Sequence, residues 1–323
     1  MAQTRARHPH SHMWLIGVLG LAAGAALMIY APRLKGISTS ILLFAGFHLI
    51  GAVVILSSLY GMALRDWIRG LRKPALPAGD ALEFGWGPGW MNGLAVAALV
   101  ALAAAVAVQV SKPELWPISF LLVVQAVLFL FGNTAMSGFR RPDHMVLPMV
   151  DLVRGETDRV LDAGCGAGRT TIALSRVLRG GRVTALDRFD ADYIDDGGRA
   201  LLDRNLKIAG LTERVEVVTG DLTAMPFPQG DFDAAVSTNV YDHLGGAKQQ
   251  GLAETWRVLK PGGRFLMAVW TPGPMMFTIG SLFSFLLTPK STWREMGRKA
   301  GFAVIDEGAI NGCWWVLFEK PVA

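Results

Sequence analysis

The chain has 323 residues, of which 52% are hydrophobic and only 18% charged, with 31 Lys and Arg against 26 Asp and Glu for a net charge of +5. So apolar a composition excludes an ordinary soluble protein and a disordered one, and the length suits two domains. Two cysteines without metal-ligand spacing exclude a disulfide framework and a thiolate zinc site; no zinc motif, Walker loop or internal repeat occurs, and no metal is expected.

Four uncharged stretches come first: Met13–Ala31, Ile41–Leu64, Trp90–Val110 and Leu115–Gly138. Each has the roughly 20 residues that an α-helix needs to cross a hydrocarbon core of about 30 Å. Four such runs in tandem read as an all-α four-helix transmembrane domain over residues 1–140. The first is too long for the apolar core of a secretory signal and is expected to be retained. Trp14, Trp90 and Trp116 stand at span ends, where indoles anchor at the membrane interface. Eight basic residues (Arg5, Arg7, Arg65, Arg69, Arg72, Lys73, Arg140 and Arg141) fall on one side of this topology, and three (Arg33, Lys35 and Lys112) on the other. The positive-inside rule then puts both termini and everything after residue 140 in the cytoplasm, with the spans in the inner membrane. The same clustering assigns the surplus positive charge to anionic lipid headgroups and argues against a nucleic-acid partner.

Between the second and third stretches, Leu64, Trp67, Ile68 and Leu71 share one helical face among charged residues, the pattern of a surface helix over 64–73. Residues 74–88, rich in Pro and Gly, read as a loop. Gly20 and Gly24 form a small-xxx-small pair, and the third stretch is alanine-rich from Ala95 to Ala107. Such faces permit close helix packing within one chain or between protomers of a homo-oligomer. His48 and Gln125, polar at mid-membrane depth, read as interhelical hydrogen bonders.

The second half opens differently. Residues 160–170 run Val-Leu-Asp-Ala-Gly-Cys-Gly-Ala-Gly-Arg-Thr: a strand ending in Asp162, glycines at 164, 166 and 168, then a helical stretch from Thr170 to Leu178. Glycines there let the backbone approach a ligand at a helix N-terminus. A dinucleotide fingerprint would need its third glycine where Arg169 stands, so a nicotinamide or flavin site fits poorly. A second strand, 182–187, ends in Asp187, placed to accept hydrogen bonds from ribose hydroxyls. Gly-Asp-Leu-Thr-Ala-Met-Pro-Phe follows at 220–227, Phe-Asp-Ala-Ala-Val-Ser-Thr-Asn-Val-Tyr-Asp-His-Leu at 232–244, and Arg-Val-Leu-Lys-Pro-Gly-Gly-Arg-Phe-Leu at 257–266. No charge occurs from Thr271 to Pro289, Trp293 opens a further helix, and 302–306 with 313–319 read as a closing antiparallel pair.

These four ordered motifs resemble a class I S-adenosylmethionine (SAM)-dependent methyltransferase, of the broad group that includes the ubiquinone and menaquinone biosynthesis enzymes. The resemblance covers about residues 145–320 and implies an α/β Rossmann-like domain, with a seven-stranded doubly wound sheet, over 141–323. It implies SAM as cofactor, with Asp162 and Gly164 at the methionine end and Gly166 and Gly168 completing the loop. Asp187 would take the ribose, Asp221 and Leu222 the adenine, and Asn239 the floor beneath the sulfonium. Where the family often has an apolar residue against adenine, this chain has Arg188, then Phe189; guanidinium or ring could stack there. If the four helices supply part of the acceptor site as well as an anchor, deleting residues 1–138 is expected to leave a soluble domain that still binds SAM but loses turnover of a lipid acceptor.

Methyl transfer from a sulfonium mainly asks the protein to hold nucleophile, methyl and sulfur in line and exclude water. Tyr241, Asp242 and His243 follow the fourth strand at the ligand-binding edge of the sheet, and His243 or Asp242 is the candidate for taking the acceptor's proton. The apolar run 275–287 reads as a lid or membrane-facing entry for a lipophilic acceptor, of quinol or phenol type in preference to an amine-bearing phospholipid headgroup.

Overall fold

The structure, a computed structural model, describes residues 13–46, 49, 82–84, 88–137, 147–155, 158–178, 180–191, 194–310 and 312–322. The expected surface helix at 64–73, His48, most of the second apolar stretch and most of the loop at 74–88 lie outside these residues. The chain divides into two compact units, one holding the N-terminal helices with residues 277–283, the other holding the remainder of the C-terminal half together with the segment 82–84.

In the first unit, α1 (Met13–Tyr30), α2 (residues 35–46), α3 (Pro88–Ser111) and α4 (Trp116–Ser137) follow in order. Two helices are long and apolar enough to cross a bilayer among the described residues, Asn92–Ser111 and Pro113–Thr134, beside a shorter apolar helix, Gly17–Tyr30. The expected count of four spans therefore rests on the sequence, and the structure supplies two. A Cβ added at Gly20 would lie 2.7 Å from the Ala45 Cβ, and one at Gly24 2.7 Å from Leu42 Cγ. The small-xxx-small face is thus spent inside the chain. Ala97, Ala98, Ala101 and Ala105 turn inward on α3, whereas Leu99 is 66% exposed and Phe131 on α4 64%. Leu94 on α3 and Phe129 on α4 are buried beside the alanines, so large apolar residues occupy both the inward and the outward faces.

The second unit is a seven-stranded sheet in the order β3-β2-β1-β4-β5-β7-β6. Its elements, after a short α5 (Met149–Leu152), are β1 (Arg159–Ala163), α6 (Arg169–Val177), β2 (Arg182–Asp187), α7 (Arg199–Ile208), β3 (Val215–Thr219), β4 (Phe232–Thr238), α8 (Lys248–Val258), β5 (Leu259–Trp270), α9 (Pro274–Gly280), α10 (Lys290–Lys299), β6 (Ala303–Ile310) and β7 (Cys313–Glu319). Strands β1 to β5 are parallel, and β7 inserts antiparallel between β5 and β6, pairing Ala268 with Trp315. Val160-Leu161, Ala234–Val236 and Met267–Val269 are buried, which is why the central strands read as continuous apolar runs. Edge strand β6 instead carries exposed Asp306 and Glu307, which discourage further pairing. The core gathers Phe232, Phe265, Trp293, Trp314 and Phe318.

Strand order reverses between β1 and β4. In an open parallel sheet that reversal leaves a crevice at the carboxyl ends of the strands, where ligands bind. The residues after β1, β2, β3 and β4 all arrive at this edge.

Candidate functional site

The loop after β1 owes its path to three glycines with φ of +86°, +50° and +86° at 164, 166 and 168. Side chains rarely adopt these values. Two of the glycines also answer to packing: a Cβ on Gly164 would fall 2.5 Å from Val240 Cγ2, and one on Gly168 2.4 Å from Leu202 Cδ1. Gly166 is different, since its Cβ would meet only Ile194 Cδ1, at 3.5 Å. That is the point where the missing side chain leaves room at the face of the loop. Backbone N–H groups of Gly164 and Cys165 donate to Leu186 O at 2.8 and 3.1 Å, and Gly168 N–H to Cys165 O at 2.8 Å.

Asp162 lies wholly buried beneath this loop. Thr171, in the first turn of α6, donates its hydroxyl to Asp162 Oδ2 at 2.5 Å, while Oδ1 is buried with no hydrogen-bond partner. Burial pushes the carboxyl up to about 7, despite the Thr171 bond. An orphaned buried carboxylate oxygen is costly, and a cationic or donor group from a ligand relieves that cost. An ammonium group is one such donor.

Asp187, at the end of β2, holds the loop as well as facing it. Its Oδ2 accepts from Gly166 N–H at 2.8 Å and its Oδ1 from Phe189 N–H at 2.9 Å. Burial raises its carboxyl against the pull of these bonds. Each carboxylate oxygen still has a second lone pair, enough for ribose hydroxyls. Arg188 pairs with Asp190 and reaches Asp221 Oδ2 at 3.7 Å, so its guanidinium lies between two acids at the expected adenine wall. Asp221 Oδ1 accepts from both the backbone N–H and the hydroxyl of Thr223 at 2.7 Å. Burial raises this carboxyl, but the Thr223 bonds and Arg188 outweigh it and hold it below the ordinary range. Asp221 thus caps a turn with Oδ2 toward Arg188, while the Leu222 side chain packs into the core.

After β4, Asn239 takes φ +56°, its N–H donating to Ala268 O at 2.8 Å. Cys313, whose thiol burial pushes up to about 12, stays protonated and donates to Asn239 Oδ1 at 3.2 Å. Tyr241 is a correction. It is fully buried in the sheet core against Phe265, its hydroxyl bonded to Thr255, and burial raises its phenol far above the ordinary range. It cannot be offered to an acceptor, because the short helical turn at 241–243 points position 241 inward. Asp242 and His243 stay together at the edge: Nε2 and Oδ2 are 3.9 Å apart, with the Asp242 side chain 5% exposed and that of His243 41% exposed. Asp242 Oδ2 also lies 3.4 Å from Trp270 N, while Oδ1 is buried with no partner.

Sequence reasoning missed three contributors. Thr171 supports Asp162, the Thr170 and Thr238 hydroxyls join 2.8 Å apart to link α6 with β4, and Asn205 on α7 donates to Ala167 O in the loop at 2.9 Å. The Thr-Thr pair opening α6 was a readable signal, since hydroxyls at a helix start seek partners there. Asn205 gave no local signal. Among the described residues no group of three His, Cys, Asp or Glu could hold a metal ion.

A reversed parallel sheet with a glycine cradle after β1 and an acid closing β2 is an arrangement that receives a nucleoside-bearing cofactor. Residues 160–263 match the family described as a methyltransferase domain. Over 131 residues the chain is 30% identical to a sterol 24-C-methyltransferase of Pneumocystis carinii, covering 40% of this chain and 32% of that one. It is 38% identical over 111 residues to a fatty-acid O-methyltransferase of Mycolicibacterium smegmatis, covering 34% and 36%. With the ubiquinone/menaquinone biosynthesis C-methyltransferase of Roseobacter denitrificans it shares 29% over 152 residues, covering 46% and 58%. The chain thus spans between a third and somewhat over half of these relatives' lengths.

Proposed function

We propose that the protein is an integral membrane methyltransferase that moves the methyl group of SAM to a lipophilic acceptor, with its catalytic domain and both termini on the cytoplasmic side of the inner membrane. The observation that carries this reading is the joining, in one chain, of the cofactor crevice with helices that expose Leu99 and Phe131 and bury alanine. The relatives' names, a sterol methyltransferase, a fatty-acid methyltransferase and a ubiquinone/menaquinone biosynthesis methyltransferase, support the acceptor class, and exposed Phe285 (66%) and Leu286 (69%) at the end of the charge-free run suit an apolar entry.

SAM, when bound, supplies an activated methyl and a good leaving group. Asp162, Gly166 and Asp187 would hold it, Asn239 would form the floor of the crevice, and Arg188 with Asp221 would border its base. On the acceptor side, Asp242 Oδ1 is an acceptor without a donor, able to orient a hydroxyl or acidic carbon and take its proton, with His243 beside it as the outlet to solvent. Nitrogen methylation of an amine-bearing phospholipid headgroup is the weaker reading, because an aromatic cage would draw on Tyr241 with Phe283 or Phe285, and Tyr241 lies in the core. Membranes containing the protein, given SAM labelled in its methyl group, should incorporate label into the lipid extract, and deleting the gene should remove a methylated lipid. Cofactor binding without any incorporation would replace this reading by a SAM-binding sensor or assembly subunit.

A further inference from the structure

Glu83 and Phe84, far outside the methyltransferase match, reach the glycine loop through two of its neighbours, Asn205 and Arg169. Glu83 donates its backbone N–H to Asn205 Oδ1 at 3.2 Å, and Asn205 Nδ2 returns one hydrogen to Glu83 O at 2.7 Å and gives the other to Ala167 O at 2.9 Å. All of the amide's hydrogens and its oxygen are engaged, and the residue is fully buried. Only one orientation of the amide satisfies one donor and two acceptors. Next in the chain, Phe84 is 3% exposed and its ring lies under the Arg169 guanidinium, 5.4 Å from the centroid. Arg169 is the first residue of α6, immediately after Gly168, and its charge is held in a half-buried position where burial lowers it to about 10.

We infer that residues 82–84 form a strap that sets cofactor affinity, with Phe84 and Asn205 as positioning residues that hold the glycine loop in its binding-competent shape. The physical need is plain from the loop itself. Residues 164–168 carry three positive φ values, and Ala167 O finds its partner in a side chain whose remaining bonds all go to the strap. Release of the strap leaves Asn205 with an unpaired oxygen and hydrogen in a dry place and uncovers Arg169. The loop then samples other conformations, and apparent affinity falls by the fraction of molecules still competent. The strap acts before any acceptor is involved, so the inference rests on the cofactor reading above and not on the identity of the acceptor.

The test uses full-length protein in detergent, with Phe84→Ala, Phe84→Leu and Glu83→Pro, the last removing the backbone donor to Asn205. Titration calorimetry should give a SAM dissociation constant raised about tenfold in Phe84→Ala and in Glu83→Pro, and less in Phe84→Leu, which keeps the burial and loses the ring. Turnover at saturating SAM should be unchanged, so the effect appears in KM for SAM and not in kcat. Hydrogen exchange over 164–168 should quicken in the cofactor-free variants while exchange in β4 and β5 stays slow. Folded variants with wild-type affinity and wild-type loop exchange would overturn the strap. A wild-type protein that fails to bind SAM would overturn the cofactor reading instead, and the loop exchange would then decide the strap alone.

Discussion

Asp162→Asn should make the cofactor-free protein less sensitive to a pH change that weakens the wild type. In the folded protein the Asp162 carboxyl keeps its proton up to about 7, against an ordinary value of 3.8. Between those values the folded state holds a proton that the unfolded chain has released, so stability falls as pH rises through this window and the loss is complete above it. At about 1.4 kcal/mol per pK unit the whole window is worth up to about 4 kcal/mol, with about 3 kcal/mol of it between pH 5 and 8. Asparagine has the same shape and can still accept the Thr171 hydroxyl, but it does not titrate. Its idle amide costs some stability at every pH, so the readout is the slope. Thermal unfolding of detergent-purified wild type and variant at half-unit steps from pH 5 to 8 measures it. SAM reverses the preference: if the ionised carboxylate meets the cofactor's ammonium, wild-type affinity rises with pH through about 7, and the variant binds about 10- to 150-fold more weakly at pH 8. Parallel stability slopes for the two proteins would refute the reasoning that burial keeps this carboxyl protonated.

Asp187→Ala should weaken SAM binding by more than tenfold, since each ribose bond to a carboxylate is worth about 1.5–3 kcal/mol; calorimetry at wild-type affinity would remove Asp187 from the site. Because the same residue holds Gly166 N–H, exchange at the loop should also quicken. Tyr241→Phe should leave turnover within about twofold and lower stability by about 1 kcal/mol through the lost bond to Thr255, read from kinetics and melting together. Asp242→Asn should cut kcat by about 10²- to 10⁴-fold with SAM affinity intact, if the acceptor must lose a proton; unchanged kcat would point to an acceptor that needs no base. Gly20→Leu should destabilise the helical unit by about 1–3 kcal/mol, because the helix it would push away has its Ala45 Cβ only 2.7 Å from the added Cβ.

What the sequence disclosed were features written in consecutive residues. The apolar run through Val160 and Leu161, the Gly-x-Gly-x-Gly spacing and the acid at 187 each specify local backbone and orientation, and β2 and β4 fall where the strand patterns ended. The closing pair was legible except for its length: β6 continues to Ile310, past the Asp306 that looked like an end, because an edge strand tolerates charge on its solvent side. Tyr241 was misplaced because one residue of rotation in a short helical turn separates a crevice from a core, and no periodicity in three residues reports it. Asn205 was invisible, since its meaning comes from Glu83, 122 positions earlier.

That separation bears on how the protein is made. The strap leaves the ribosome early, yet the amide that receives it is synthesised 122 residues later, after α3 and α4. The sheet waits longer still, because β7 is the last strand of the chain and pairs on both sides, between β5 and β6. Closing so long a loop is entropically expensive and slow to reward. The glycine loop therefore cannot be secured until Asn205 has been synthesised, and a nascent chain stalled before that point would carry the strap with no amide to receive it.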